Sequence, residues 1–208
     1  REVLELLAFA ARLGGDGLLD GLVFAPLNKA AMHLAGLGHE DEMQYLKHVF
    51  GCEGEVGELN ELDGLWTTRV TSHIPLKDVA AHVEPAGIRR AVQLAQCTLT
   101  AGGVTAPRIA VCALNPHAGD GGNFGREELD VIAPAVAAAK AEGLDVSGPW
   151  PCDTVFVRAR ADEFDAVVTM YHDQGQIAMK LMGFGRGVTV LGGLPVPVAT
   201  CGHGTAFD

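Results

Sequence analysis

The 208 residues are 48% hydrophobic and include 27 glycines and 10 prolines, enough apolar mass for one sizeable core or two smaller lobes and too much for a disordered chain. A formal charge of −11 excludes non-specific nucleic-acid binding, which needs a basic face, and the apolar runs break at Gly, Pro or charge well before the roughly 18 residues of a membrane span. Five cysteines with no CxxC pair predict reduced thiols in a cytoplasmic protein, not a disulfide scaffold or a cysteine zinc site.

The chain opens on REVLELLAFAARLGG, with no initiating Met or signal layout, and stops after GHGTAFD; this predicts a segment of a longer protein. Helical spacing of Leu4, Leu7, Ala8 and Ala11 predicts a helix over 2–13 with a glycine stop. GLVFAP reads as a short buried strand, NKAAMHLAG as a short helix capped by Asn28, and 41–50 as an acidic helix. LWTTRVTSHIPL alternates β-branched and polar residues and predicts a strand ending at His73. A helix over 86–101 and a doubly covered strand RIAVCAL come next. The loop NPHAGDGGNFG leads into REELDVIAPAVAAAKAEG, a helix with acids in its first turn and a lysine near its end, as the macrodipole favours. FDAVVTM is another buried strand, with YHDQG where it ends; GQIAMKLMGFG starts as a helix, and GVTVLGGLPVPVAT reads as a strand broken by Gly and Pro. Strands alternating with helices make an α/β fold.

In such folds ligands collect outside the carboxyl ends of strands. His73, His117 and His172 each follow an apolar strand, and three neutral imidazoles would hold a divalent metal with positions left open for substrate or water. The plain alternative is that each is a polar residue where a strand meets solvent. Asp153 and Asp173 are candidates to orient a ring or accept a proton, or else are solvated or capping aspartates. Lys180 would hold an anionic substrate or protonate a product, or else is a surface lysine. GDGGNFG is not a dinucleotide fingerprint, and Asp120 would repel a pyrophosphate. Cys152 and Cys201 show no activating partner and read as buried thiols.

TSHIPL, LNPHAGDGG, GPWPCDTVF, MYHDQG, KLMGFGRGV and GHGTA occur in the order found in the 4-hydroxythreonine-4-phosphate dehydrogenase family of pyridoxal phosphate biosynthesis, which the chain resembles from about residue 20 onward. The resemblance implies an isocitrate/isopropylmalate-dehydrogenase-like α/β/α fold with two lobes and a cleft, of which residues 1–208 are a part, and a homodimer whose active site takes residues from both subunits. It places the metal ligands at His73, His117 and His172, the active-site aspartates at Asp153 and Asp173, and the substrate contacts at His39 and Lys180. It implies NAD-dependent oxidation of a β-hydroxy acid with decarboxylation, aided by a divalent metal; histidine ligands leave zinc, cobalt, manganese, nickel or magnesium open, and the NAD contacts are not assigned. This chain has Glu40 where the family has Thr, and Thr189 and Val198 where it has a substrate-binding Asn and Arg. The family default substrate is 4-phosphohydroxy-L-threonine; losing a cation and gaining an anion disfavours a phosphate and makes a paralogue acting on a four-carbon sugar acid phosphate or the cis-dihydrodiol of terephthalate the alternative. A metal-dependent hydrolase or lyase and a non-catalytic binding domain are the readings from other classes.

Overall fold

The computed structural model describes residues 1–205; the final Ala of the GHGTA stretch lies outside the described residues. Contacts divide the chain into two compact units, one of residues 1–58 with the described residues from 188 onward, the other of residues 59–187.

The first unit begins with α1 (Glu2–Gly15), β1 (Leu22–Phe24), α2 (Lys29–Leu34) and α3 (Glu42–Phe50). α1 runs through the glycines expected to stop it. Gly14 is buried, and a Cβ there would come within 3.1 Å of Val196, so this glycine serves packing. Asn28 and Asp41 cap α2 and α3, their side chains accepting from the N–H of Ala31 and Gln44 at 2.9 Å each, worth about 1 kcal/mol apiece.

The second unit follows with β2 (Gly57–Leu62), β3 (Leu65–Arg69), α4 (Val79–His82), α5 (Pro85–Ala101), β4 (Ile109–Cys112), α6 (Ala133–Ala141), β5 (Val146–Trp150), α7 (Cys152–Ala159), β6 (Ala166–Thr169) and α8 (His172–Gly183). β2, α4, β5 and α7 were not expected. β2 and β3 form a hairpin whose Leu62↔Leu65 register leaves a two-residue turn, Asp63 and Gly64, at φ 51° and 90°. Such Asp-Gly turns match the twist of antiparallel strands. The strand order is β2-β3-β6-β4-β5, with β3, β6, β4 and β5 mutually parallel along the order.

Helices cover both faces of this sheet. Alternate residues of β4 point opposite ways: Ile109 and Val111 pack with Ile88, Leu99 and Val136 of α5 and α6, while Ala110 and Cys112 pack with Val155 and Phe156 of α7. Each of the large side chains fully buried here contributes about 1.5–3 kcal/mol. The expected helix over REELDVIAPAVAAAKAEG opens as a π-turn, Glu128–Ile132, before α6 begins.

The chain returns to the first unit as β7 (Val188–Gly192) and β8 (Val198–Cys201), giving the order β1-β8-β7 with β1 parallel and β7 antiparallel to β8. The expected single broken strand is therefore two. Gly193 turns between them at φ 84°, where a Cβ would strike the carbonyl of Glu55. Ala11, Leu22, Leu46, Leu191 and Val198 form the core of this unit, and Leu4, Leu7, Met32 and Leu37 a second cluster.

Candidate active site

β6 lies between β3 and β4 and parallel to both, so the chain leaves all three strands at one edge of the sheet. β3 stops at Arg69, four residues short of the expected end. Val70 and Thr71 still donate to the carbonyls of Thr169 and Met170 at 2.8 and 3.1 Å, which carries the exposed His73 alongside the segment leaving β6. There His172 opens α8, and its ring centroid is 5.6 Å from that of His73.

His172 Nδ1 lies 2.7 Å from Asp173 Oδ1. With the proton assigned to Nδ1, the ring donates to the carboxylate and keeps its Nε2 lone pair, as metal-ligating imidazoles do. His73, His172 and Asp173 line a cavity of about 270 Å³ with Ser72 and Tyr171. On the other side of the β6 exit, His117, Cys152, Asp153 and Gln174 line a larger cavity of about 680 Å³, which shares Tyr171 and Asp173 with the first. Burial pushes the Tyr171 phenol above its ordinary pKa, and the neighbouring Cys152 and Asp173 add to the shift.

Among the described residues no three His, Cys, Asp or Glu side chains are grouped to hold a metal. The set of His73, His117 and His172 is thus, within one chain, a facing pair and a third histidine in the adjoining cavity, its ring 6.3 Å from that of Phe124. The pair suits part of the ligand set of a divalent ion: two imidazoles, one of them oriented by a carboxylate.

The other expected residues fall as follows. Asp153 is exposed in the first turn of α7, within the larger cavity. Lys180 is exposed on α8 and lines neither cavity; its Nζ is 5.7 Å from the Phe184 ring centroid. His39, Glu40 and Thr189 belong to the first unit. The half-buried His39 ring packs at 4.9 Å from His48 and 5.7 Å from Tyr45, Glu40 is exposed, and Thr189 pairs with Thr200 across β7 and β8. Val198, which stands where the family has a substrate-binding Arg, is fully buried in the core.

Three features escaped the sequence reading. Gln174 ties the β6 exit to the end of β4: its Oε1 accepts from Met170 N–H at 2.8 Å and its Nε2 donates to the Ala113 carbonyl at 3.0 Å. Cys152, read as a buried thiol with no activating partner, is half-buried against the cluster that holds Cys112. A hydrogen bond from the Cys112 thiol pulls Cys152 below the usual thiol range, and the same contact, together with burial, pushes Cys112 up. Glu128, read as a dipole-stabilising acid, is a buried polar residue in contact with the start of the His117 loop. A Glu after a Gly-rich loop was its only signal.

His117, Ala118, Gly119, Asp120 and Gly121 all take left-handed backbone, with φ between 43° and 79°. Glu127 and Glu128 hydrogen-bond within the same loop, and Asp120 is exposed on it. A loop so rich in carboxylates does not suit a dinucleotide pyrophosphate.

The sequence matches the family profile described as pyridoxal phosphate biosynthetic protein PdxA over residues 1–208. A Pseudomonas aeruginosa protein with the provisional name 4-hydroxythreonine-4-phosphate dehydrogenase 2 is 53% identical over 100% of this chain and 62% of its own. The D-threonate 4-phosphate dehydrogenase of Cupriavidus necator is 43% identical over 96% of this chain and 60% of its own. The crystal structure of 4-hydroxythreonine-4-phosphate dehydrogenase from Klebsiella pneumoniae superposes with a TM-score of 0.90 at 38% identity, over 99% of this chain and 62% of that one. The chain therefore spans about three-fifths of the length of these relatives. No helix among the described residues is long and apolar enough to cross a membrane.

Proposed function

The chain belongs to the PdxA family of pyridoxal phosphate biosynthetic proteins, and from that premise we propose that it is part of a two-lobed, cytoplasmic, NAD- and divalent-metal-dependent dehydrogenase. Its substrate would be a four-carbon β-hydroxy acid carrying a 4-phosphate, with decarboxylation following oxidation. The relatives' names support the reaction class and both name a 4-phosphate substrate. The observation that carries the site is the facing pair His73 and His172 with Asp173 on His172 Nδ1.

A bound divalent ion would supply Lewis acidity at the substrate hydroxyl and at the oxygen that gains charge as carbon dioxide leaves. His73 and His172 would hold it through ring nitrogens, and Asp173 would keep the His172 ring turned toward it. Because Asp173 is engaged with His172, Asp153 is the carboxylate assigned to accept the hydroxyl proton in the larger cavity. Lys180 would neutralise substrate charge or return a proton to the product, while His39, Glu40 and Thr189 would contact the substrate. A homodimer with a shared site accounts for the third imidazole, since one chain pairs only two. NAD is the proposed hydride acceptor, and no step is assigned to its contacts because the glycine-rich loop does not suit it.

The test uses the full-length protein. Near-stoichiometric zinc, cobalt, manganese or nickel by mass spectrometry, lost in His172→Ala, together with NADH formation from 4-phosphohydroxy-L-threonine or D-threonate 4-phosphate, is the expected result. Metal uptake without NADH from either substrate sinks the dehydrogenase reading, and carbon dioxide release without NADH replaces it with a lyase.

A further inference from the structure

Glu128 is 2% exposed and stands at the head of the π-turn before α6, where the chemistry above gives it no task. Its Oε1 accepts from the backbone N–H groups of Leu114 and Asn115 at 2.8 and 2.7 Å, and its Oε2 from Asn115 Nδ2 at 3.0 Å. Asn115 Nδ2 also donates to Glu127 Oε2 at 2.6 Å. A buried carboxylate is costly unless its lone pairs are met by donors, and here the donors come from the two residues that leave β4, immediately ahead of Pro116 and His117.

Two glycines make room for this cluster. A Cβ on Gly119, at φ 79°, would lie 2.6 Å from Glu128 Oε2; one on Gly125, at φ 132°, would overlap the Asn115 amide and reach Glu127 Oε2 at 2.6 Å. Between them the loop holds His117, Ala118 and Asp120 at φ 53°, 53° and 43°. Left-handed backbone at residues other than glycine costs on the order of 1–2 kcal/mol each and persists only where the surroundings over-determine it. The hydrogen bonds of Glu128 are the surroundings that act on the loop's first two peptide groups.

We propose that Glu128 is a positioning residue for His117. By fixing the peptide groups of Leu114 and Asn115, its carboxylate sets the direction in which the left-handed loop presents the imidazole to the larger cavity. The consequence for metal binding rests on the function proposed above; the geometric claim does not.

The experiment compares full-length parent, Glu128→Ala and Glu128→Gln proteins by histidine-ring NMR, amide hydrogen exchange and zinc affinity in a chelator competition. In Glu128→Ala, exchange at Leu114 and Asn115 should accelerate roughly 100-fold, as two hydrogen bonds to a charged acceptor are lost. Exchange in α5 should stay at the parent rate. The His117 ring resonances should move while those of His82, on α4, stay in place. Zinc affinity should fall about 10- to 100-fold, as on loss of a group that orients a ligand. Glu128→Gln keeps an oxygen for the two backbone amides but turns an NH₂ toward Asn115, so it should rescue the exchange rates and leave a smaller shift at His117. Unchanged His117 resonances in either variant overturn the proposal, as does acceleration of α5 by the same factor as Leu114, which marks a merely structural role. Should Glu128→Ala fail to fold, Glu128→Gln alone decides by the His117 shift. Should the parent bind no zinc, the metal reading fails while resonances and exchange still decide the position of His117.

Discussion

The segments leaving β4 and β6 each carry a histidine to the same edge of the sheet and are secured by opposite means. After β6 the chain enters a helix at once, and one side chain, Gln174, reaches back to Met170 N–H and across to the Ala113 carbonyl. After β4 it runs left-handed for five residues and is held by carboxylates that follow it in sequence. A helix start is stable in its own backbone and needs only a tether. The left-handed loop needs glycines where its lock sits, so it should tolerate far less change.

Paired substitutions break or sharpen this contrast. Gly125→Ala forces a residue to φ 132° and a methyl into the Asn115 amide, which should cost 3 kcal/mol or more, on the order of combined backbone strain and overpacking. Gly175→Ala, within α8, places its methyl 3.3 Å from Thr169 Oγ1, and the better helix propensity of alanine offsets part of that contact, for a net change within about 1 kcal/mol. Urea unfolding of the two variants measures both; equal losses would erase the difference between the segments.

Gln174→Ala comes next. It removes the partners of a backbone N–H at the β6 exit and of a carbonyl at the end of β4, for about 2 kcal/mol, measurable by the same unfolding curves. A smaller effect is expected at the far ends of the two strands, where Arg108 and Asp165 precede β4 and β6 and join by Nη2–Oδ1 and Nε–Oδ2 contacts of 2.8 and 3.0 Å. The Arg108 guanidinium holds the Asp165 carboxyl below the usual carboxylate range. A carboxyl depressed in the folded state stabilises the fold above its unfolded pKa, about 3.9, and loses that contribution as pH falls through the folded value. Arg108→Ala should therefore cost about 1 kcal/mol at neutral pH, a partly exposed bidentate pair, and the gap from the parent should close below about pH 4. The smallest effect concerns the cavity beside the loop: the Cys112 thiol, buried and raised above the usual thiol range, should resist iodoacetamide while the exposed Cys97 is alkylated, as judged by peptide mass spectrometry.

The elements legible in the sequence are those whose burial is written in a local pattern. α1 and α5 follow helical periodicity, and the all-buried β4 and β6 are continuous apolar runs. β2 was hidden because GELNEL is mostly polar and half-buried; only the Asp63-Gly64 dipeptide announced the hairpin. α7 was obscured by prolines on either side of Trp150, which read as a break. The histidines could be named from strand ends and motifs, but which of them face each other depends on β3 pairing with β6, Arg69 opposite Thr169, across a hundred residues. Glu128 was illegible for another reason: a carboxylate buried under a loop and one exposed at a helix start are the same letter in the same place.

The His117 lock has one more consequence, for how such a loop could travel. The carboxylates of its lock and the donors they meet all lie between Leu114 and Glu128, whereas Gln174 of the other segment finds its carbonyl 61 residues away. A connection that encodes its own restraint in fifteen consecutive residues is a cassette. Spliced between another parallel strand and its following helix, it would bring its curl and its imidazole along, while the His172 segment would lose its anchor at the first cut.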